Sequence, residues 1–281
     1  MNIYNKPILT TSPNNTSYRN QQRVLNSYKQ QPTILRTTAP FNNDLTQFTA
    51  NNNIQKELIN NYDVFTFTLP GHDGNFKKKI TYKDWIKKVD SEMEFLISHG
   101  YEKIYVIGHS MGGVLASYIT AKYPQVKKLV LVAPAFRISG FEEEKFNMST
   151  ALTSTPKIFE EYGVQLVTNR LLKLPPNCYV DFFKLVKELQ ENVKNVKVPT
   201  LIFRGTKDFI VPQESVDYVY ESVQNRYKKI VMLEKTTHDV FRENKKGQAT
   251  DLIIKFFKNY KSIENFPNGI TAPDLEDKWK E

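Results

Sequence analysis

The stretch that decides the fold reads Ile104-Tyr105-Val106-Ile107-Gly108-His109-Ser110-Met111-Gly112-Gly113. Four apolar or aromatic residues run into Gly-x-Ser-x-Gly, and an apolar stretch follows them. We predict a buried strand, a sharp turn with Ser110 at its apex, and a helix. Such a turn strains the backbone of the serine, so the residues two before and two after it must be small. The helix N-terminus would direct its amides at an oxyanion formed beside the hydroxyl.

A second interpretation of Ser110 is an N-cap at an ordinary strand-to-helix turn. That interpretation leaves the glycines on both sides of the serine unexplained. The strand before the motif and the helix after it are the context that a serine nucleophile requires. We therefore interpret Ser110 as a nucleophile.

The composition favours a globular α/β protein. The chain has 281 residues, 40% of them hydrophobic, enough for one large domain or two small ones. The net charge is +9, but Lys and Arg are scattered and no basic helix is present, so we expect no nucleic-acid partner. A weak attraction to anionic membrane surfaces stays open.

The targeting and redox signals point to the cytoplasm. Cys178 is the single cysteine, so no internal disulfide can form. Residues 1–31 are polar and lack the apolar core of a signal peptide, and no stretch is long and apolar enough to span a membrane. We expect no cofactor and no metal ion.

Strand and helix patterns alternate along most of the chain. Alternation at this spacing predicts a mostly parallel central sheet with helices on both faces. Strands are predicted at 33–36, 64–69, 104–107, 128–133, 199–204 and 229–233, and helices at 44–60, 82–98, 114–123, 213–223 and 247–260. Thr81 and Asp84 form a predicted capping box, and Gly100 ends the helix that it opens.

One segment, 136–197, breaks this alternation because it carries no strand signal. Two amphipathic helices are predicted in it, one opened by Thr155-Pro156 and one from Tyr179 to about Val193. Two ordinary helices packed on the core are one interpretation of this segment. We favour a helical cap formed by 136–197 over the site, with 1–135 and 198–281 forming the core. The apolar residues expected to line an acyl pocket there are Phe159, Tyr162, Leu166, Phe182, Phe183 and Val186.

A serine hydroxyl needs a base, and catalytic groups in this architecture follow the carboxyl ends of strands. His238 lies five residues after the strand that ends at Leu233. His72 also follows a strand but precedes the serine, whereas the order expected for this turn is serine, acid, histidine. His99 ends a helix, and we expect His109 to point away from the serine.

The orienting carboxylate should follow a strand between Ser110 and His238. Asp208 follows such a strand and precedes a helix. Asp239 is adjacent to His238, which is too close along the chain to reach its Nδ1. We therefore select Asp208.

Four motifs together resemble the α/β-hydrolase superfamily. They are Gly-His-Ser-Met-Gly-Gly, Pro-Gly-His after the preceding strand, Val-Pro-Thr-Leu-Ile-Phe-Arg-Gly-Thr-x-Asp-x-x-Val-Pro, and the late Thr-His. The resemblance spans roughly residues 33–261 and is greatest to carboxylesterases and monoacylglycerol-lipase-like enzymes. It implies that Ser110 is the nucleophile, Asp208 orients the base, and His238 is the base and then the acid. It also implies that the amide of Met111 forms half of the oxyanion hole.

The chain departs from the family at the second oxyanion amide. The family carries His-Gly and an apolar residue after the first main strand, whereas this chain has Thr37-Thr38-Ala39-Pro40-Phe41. Pro40 has no N–H to donate, and Phe41 stands where the apolar residue would. We expect Phe41 to supply the second donor.

The leading hypothesis is a serine esterase or lipase that cleaves short- or medium-chain acyl esters through an acyl-enzyme. A proline iminopeptidase-like enzyme shares the turn and the cap, and would need carboxylates such as Glu142-Glu143-Glu144 to hold a substrate amine. A catalytically inactive α/β-hydrolase that only binds ligands is the third possibility.

Overall fold

The computed structural model describes residues 33–38, 58, 62–72, 80–139, 141–142, 145–146, 176–240 and 247–271. The strands are β1 Thr33–Thr38, β2 Asp63–Phe67, β3 Ile104–His109, β4 Val126–Val132, β5 Phe141–Glu142, β6 Lys145–Phe146, β7 Thr200–Gly205, β8 Lys228–Glu234 and β9 Gly269–Thr271. The helices are α1 Tyr82–Ser98, α2 Met111–Lys122, α3 Pro176–Leu189, α4 Gln213–Ser222 and α5 Gln248–Lys258. Short 3₁₀ helices cover Gln190–Asn195 and Tyr260–Asn265.

Seven strands form one parallel sheet in the order β2-β1-β3-β4-β7-β8-β9. The strand before Ser110 lies inside the sheet, because β3 pairs with β1 on one side and β4 on the other. His109 lies opposite Thr38 of β1 and Val132 of β4. All parallel strands end at the same edge, so the loops after β3, β4, β7 and β8 meet there.

Both faces of the sheet are buried, as the prediction of a parallel sheet covered by helices requires. Side chains of β3 alternate between the faces. Ile104 and Val106 pack with α1, α2, α3 and α4, while Tyr105 and Ile107 pack with α5 on the other face. The predicted α/β-hydrolase arrangement, a parallel sheet between two helical layers, is confirmed.

The limits of α1 follow from its sequence. The Asp84 carboxylate accepts hydrogen bonds from the Thr81 N–H at 2.9 Å and from the Thr81 hydroxyl at 2.8 Å, as the predicted capping box requires. At the other end Gly100 has a φ of 87°. Its N–H donates to Ile97 O and the N–H of Tyr101 donates to Leu96 O, the Schellman pattern that ends a helix.

The segment 136–197 has two parts among the described residues. A two-residue antiparallel hairpin, β5–β6, follows the loop after β4, although no strand was predicted there. Farther on, α3 and the 3₁₀ helix after it bury Leu185, Leu189 and Val193 in the core beside α1 and α2. These side chains stabilise the core itself. The helix predicted after Thr155-Pro156 lies outside the described residues, so a cap over the site stays a prediction.

Two further points concern the last strand and the helix predicted over 44–60. β9 was not predicted, although it pairs with β8 and extends the sheet at its edge. The helix predicted over 44–60 lies outside the described residues except Leu58, which is helical and buried.

Candidate active site

Ser110 occupies the sharp turn between β3 and α2. Its φ of 55° and ψ of −124° fall in a region that side chains rarely adopt, which confirms the predicted strain. The Ser110 N–H donates to Val132 O at 2.9 Å, and its carbonyl accepts from Gly113 N and Ala135 N. The turn is thus fastened to the end of β4 and to the start of α2.

Glycines around Ser110 allow close backbone contact. A Cβ on Gly108 would lie 2.4 Å from the carbonyl oxygen of Gly112 and 2.5 Å from the Ala116 Cβ. One on Gly113 would lie 2.9 Å from Pro134. Helix α2 can therefore pack against β3 and the loop after β4 only because these positions lack side chains.

His238 and Asp208 form a buried pair. The His238 Nδ1 lies 2.8 Å from the Asp208 Oδ2, and the residues are 2% and 3% exposed. A carboxylate only accepts hydrogen bonds, so Nδ1 carries the proton and the lone pair of a neutral His238 is on Nε2. This is the tautomer that a general base needs.

The loop after β7 holds the Asp208 carboxylate in place. Its Oδ1 accepts from the N–H groups of Ile210 at 3.0 Å and Val211 at 2.9 Å. Burial raises the pKa of Asp208, but the charge of His238, its hydrogen bond and the two amides outweigh burial and lower that pKa below its ordinary value. Asp208 is therefore ionised at neutral pH.

The loops that carry Asp208 and His238 are joined to each other. The Thr206 hydroxyl accepts from Lys235 N at 2.9 Å, and Lys207 N donates to Thr236 O at 2.9 Å. A Cβ on Gly205 would lie 2.1 Å from Thr236 O, so only glycine permits this approach. The acid and the base thus form one unit.

Arg204 stabilises the turn that carries Asp208. Its Nη2 donates to Asp208 O at 2.9 Å and its Nε donates to Val211 O at 3.0 Å. These bonds close the turn that carries the carboxylate. Sequence reasoning did not select Arg204, since its contacts are to backbone carbonyls.

The other histidines have separate contacts. His72 packs edge-on against Trp85, whose indole N–H donates to Pro70 O and secures the turn after β2. His99 ends α1, with Nδ1 2.7 Å from Phe95 O. His109, which we expect to point away from the serine, has its Nε2 2.9 Å from the carbonyl oxygen of His238 and so contacts the loop of the predicted base.

The two predicted oxyanion donors are the backbone amides of Met111 and Phe41. Met111 is the first residue of α2, where backbone N–H groups lack an intrahelical acceptor. Phe41 lies outside the described residues. Glu142, the first of the three glutamates considered for holding a substrate amine, lies in β5. Residues 143–144, like Phe41, lie outside the described residues.

In the described ranges, no group of three or more His, Cys, Asp or Glu residues could hold a metal ion. Within the same ranges no helix is long and apolar enough to cross a membrane.

Two family models and a solved structure are similar to this chain. A family model described as "alpha/beta hydrolase fold" matches residues 45–163, and one described as "Serine aminopeptidase, S33" matches 147–245. The fold is similar to a monoacylglycerol lipase from Paleococcus ferrophilus with a TM-score of 0.60, at 16% identity, over 82% of this chain and 96% of that one. The chain has the α/β-hydrolase fold.

Curated relatives of this chain have esterase and lipase names. It is similar to the thermostable monoacylglycerol lipase of Bacillus sp. (strain H-257), with 22% identity over 71% of this chain and 80% of the relative. It is 30% identical to a putative esterase/lipase of Mycoplasma genitalium over 56% of this chain and 66% of the relative. A carboxylesterase of Bacillus subtilis is 24% identical over 63% of this chain and 72% of the relative.

Proposed function

We propose that this α/β hydrolase cleaves carboxylic esters through an acyl-enzyme formed on Ser110. The observation that carries the proposal is the joint geometry of the site: a serine held at a φ of 55° in the turn after β3, and a buried Asp208–His238 pair packed against that turn. The same pair argues against a catalytically inactive binding protein, since a binding protein has no need of an oriented base. The esterase and lipase names of the relatives support the reaction type.

In the proposed reaction His238 Nε2 removes the proton of the Ser110 hydroxyl as its oxygen attacks the ester carbonyl. The imidazolium that results is stabilised by the ionised Asp208. His238 then gives the proton to the departing alcohol. In the second half of the reaction His238 removes a proton from a water molecule as its oxygen attacks the acyl carbonyl, and returns that proton to the Ser110 oxygen as the acid leaves. Ser110 and His238 return to their starting states.

The negative charge on the tetrahedral oxygen requires hydrogen-bond donors. We propose the Met111 N–H as the first donor, supported by its place at the N-terminus of α2. The second donor, Phe41 N–H, remains the prediction made from the sequence.

An apolar cluster beside the Ser110 turn supports an acyl substrate. We name it the site-edge cluster; it comprises buried Ala133, Ala135 and Val211 with partly buried Ile138, Phe182 and Ile210. Ala135 N donates to Ser110 O, which brings this cluster next to the nucleophile. We propose that the acyl chain of a short- or medium-chain ester, or of a monoacylglycerol, packs against it, with 136–197 forming the cap above.

A second candidate is cleavage of peptides from a free N-terminus. The family model described as "Serine aminopeptidase, S33" favours it. A charged substrate amine would gain nothing from the apolar side chains of the site-edge cluster, so we rank this activity below ester cleavage. We also propose a cytoplasmic location, which the single cysteine supports.

The deciding experiment compares kcat/KM for p-nitrophenyl esters from acetyl to decanoyl, 1-monoacylglycerols, and proline and alanine anilides. For ester cleavage we expect kcat/KM to rise with acyl length until the pocket is full, because each buried methylene contributes ~0.8 kcal/mol. A fluorophosphonate should label Ser110 in the wild type and give no label in Ser110→Ala. A flat ester series with faster anilide cleavage would establish the peptidase instead.

A further inference from the structure

His109 contacts the main chain of the residue proposed as the base. It is the last residue of β3 and directly precedes Ser110. Its Nε2 lies 2.9 Å from the carbonyl oxygen of His238, 129 residues away in the sequence. The two imidazole rings also pack together, with centroids 4.8 Å apart and planes inclined by 37°.

The direction of this hydrogen bond follows from its partners. A carbonyl oxygen can only accept, so the His109 Nε2 must carry the hydrogen. Both the neutral Nε2–H tautomer and the charged imidazole can donate it. The bond fixes the backbone of His238, whereas Asp208 fixes its ring through Nδ1.

Different contacts hold the backbone of His238 and the orientation of its ring. The hydroxyl of Thr206 secures the loop at Lys235, three residues before the histidine, and Asp208 sets the rotation of the ring. The contact to His109 connects the His238 backbone directly with the strand that carries Ser110. The distance from the base to the nucleophile depends on that connection.

We propose that His109 is a positioning residue that holds His238 at its working distance from Ser110 by donating its Nε2–H to the His238 carbonyl. The inference rests on the proposed function, since it assigns His238 as the base. It predicts that the essential property of residue 109 is a side-chain donor at that point, and that the aromatic ring alone is insufficient.

The test uses a pair of substitutions, His109→Phe and His109→Gln. Phenylalanine keeps a ring but has no donor, while the glutamine amide supplies an N–H at similar reach. We expect kcat to fall roughly 10- to 100-fold in His109→Phe, because a small misplacement of a catalytic group has an effect of that size. KM should change little, and His109→Gln should recover most of kcat.

A matched control is His99→Phe. The His99 ring also bonds a carbonyl, that of Phe95 at 2.7 Å, and also packs on a ring, with centroids 4.1 Å apart. It lies at the end of α1, away from the loops that carry the triad. We expect its kcat to match the wild type, whatever the change in thermal stability.

A second measurement does not depend on hydrolysis. The His238 Nδ1 proton bound to Asp208 should give a low-field proton NMR signal, and we expect this signal to shift or broaden in His109→Phe and to return in His109→Gln. His109→Leu, which also lacks a donor, replaces His109→Phe should the larger ring prevent folding. If wild type hydrolyses no ester but the signal responds in this way, the proposed function fails and the positioning role stands.

Two outcomes would overturn the inference. One is a donor-free variant with wild-type kcat and an unchanged low-field signal. The other is an equal loss of kcat in His109→Phe and His109→Gln, since the donor would then not be what matters.

Discussion

The parallel strands all begin at one side of the sheet, here called the amino edge, and all end at the other, the carboxyl edge. These two sides differ in backbone strain. Among the described residues, the non-glycine positions with positive φ are Ser110 at 55°, Ala133 at 43° and Lys235 at 56°. Each directly follows the last residue of its strand, β3, β4 or β8, so all three lie at the carboxyl edge. Such conformations cost of order 1–3 kcal/mol each and persist only where surrounding contacts impose them.

The amino edge has no strain of this kind among the described residues. There α1 ends in a Schellman turn at Gly100 before β3 begins, and Lys128 at the start of β4 bonds the end of α5. The difference indicates that strained backbone conformations occur where side chains must be held in a particular direction. Where helices and strands only pack against each other, the backbone is unstrained and the contacts stabilise the fold. Substitutions at the carboxyl edge should therefore change activity most, and those at the amino edge should change stability alone.

The largest expected effect is the loss of activity in Asp208→Asn. The amide would keep an acceptor for Ile210 and Val211 but present N–H to the His238 Nδ1, which would favour the wrong tautomer. We expect kcat to fall by ~10⁴ with the fold retained. Steady-state kinetics and circular dichroism measure both quantities.

Asp239→Asn is the control, because Asp239 is adjacent to His238 but is not its hydrogen-bond partner through Nδ1. We expect its kcat to stay within a few-fold of wild type. Near wild-type activity in Asp208→Asn would mean that another carboxylate orients the base.

The next effect in size is that of Gly205→Ala, which should reduce both stability and activity. The new Cβ would lie 2.1 Å from Thr236 O and 2.5 Å from Thr237 O, which forces the His238 loop away from β7. We expect the free energy of unfolding to fall by ~1–3 kcal/mol, as overpacking does elsewhere, and kcat to fall with it. Urea denaturation and kinetics on the same preparation test this.

Gly269→Ala provides the comparison for a β-strand glycine with space around it. The nearest atom to its new Cβ would be Met232 O at 3.7 Å, an ordinary van der Waals contact. We expect a change below ~0.5 kcal/mol there, as for substitutions without a specific mechanism. Similar losses in the two variants would show that the close approach at Gly205 is not what matters.

Much of the fold could be predicted from local patterns. Ser110 and its glycines predicted the strained turn, and Thr81 with Asp84 predicted the start of α1, because each depends on contacts within a few residues. Asp208 and His238 are 30 residues apart, yet their pairing could be predicted from chain order and from the shared carboxyl edge of a parallel sheet. Rules of topology thus supplied what local patterns could not.

Other features carried no readable signal. The contact of His109 with His238 joins positions 129 residues apart, and nothing in their types marks them as neighbours. β9 is a three-residue strand at the sheet edge, too short to show alternation. In the sequence Gly205 resembles an ordinary turn glycine, and only the structure shows that the backbone of Thr236 lies beside it.

A smaller effect is expected at the strained turn itself. Ser110→Gly would remove the nucleophile and also relieve its backbone, because glycine adopts positive φ without steric cost. We expect the free energy of unfolding to rise by ~1 kcal/mol while hydrolysis is abolished. Differential scanning calorimetry measures the first quantity.

The control for that variant is Ser117→Gly. Ser117 is a buried serine inside α2, and its hydroxyl donates to Gly113 O. Glycine in a helix interior lowers stability by ~1 kcal/mol relative to good helix formers, so this variant should be destabilised. A decrease in both variants would mean that the turn at Ser110 stores no strain.

The smallest expected effect tests the amino edge through Lys128. Lys128 is 7% exposed; its ammonium group donates to the carbonyls of Phe256 and Phe257 at the end of α5 and lies 4.6 Å from the Tyr105 ring centroid. Burial lowers the pKa of Lys128 from 10.5 to about 8. Between these values the unfolded chain binds the proton and the folded one does not, so stability should rise with pH.

We therefore expect the difference in unfolding free energy between wild type and Lys128→Met to grow in favour of wild type by on the order of 1 kcal/mol between pH 7.5 and 9.5. The range ends below the ionisation of tyrosines, since burial raises the pKa of Tyr62 to about 12 and its titration on unfolding would act in the opposite direction. Lys127→Met, at an exposed position on the same strand, should show no such trend. Activity should be unchanged in both, because the amino edge carries no catalytic group. A flat difference for Lys128→Met would mean that the two carbonyls and the Tyr105 ring keep the ammonium charged, and that helix-end hydrogen bonds outweigh burial at this edge.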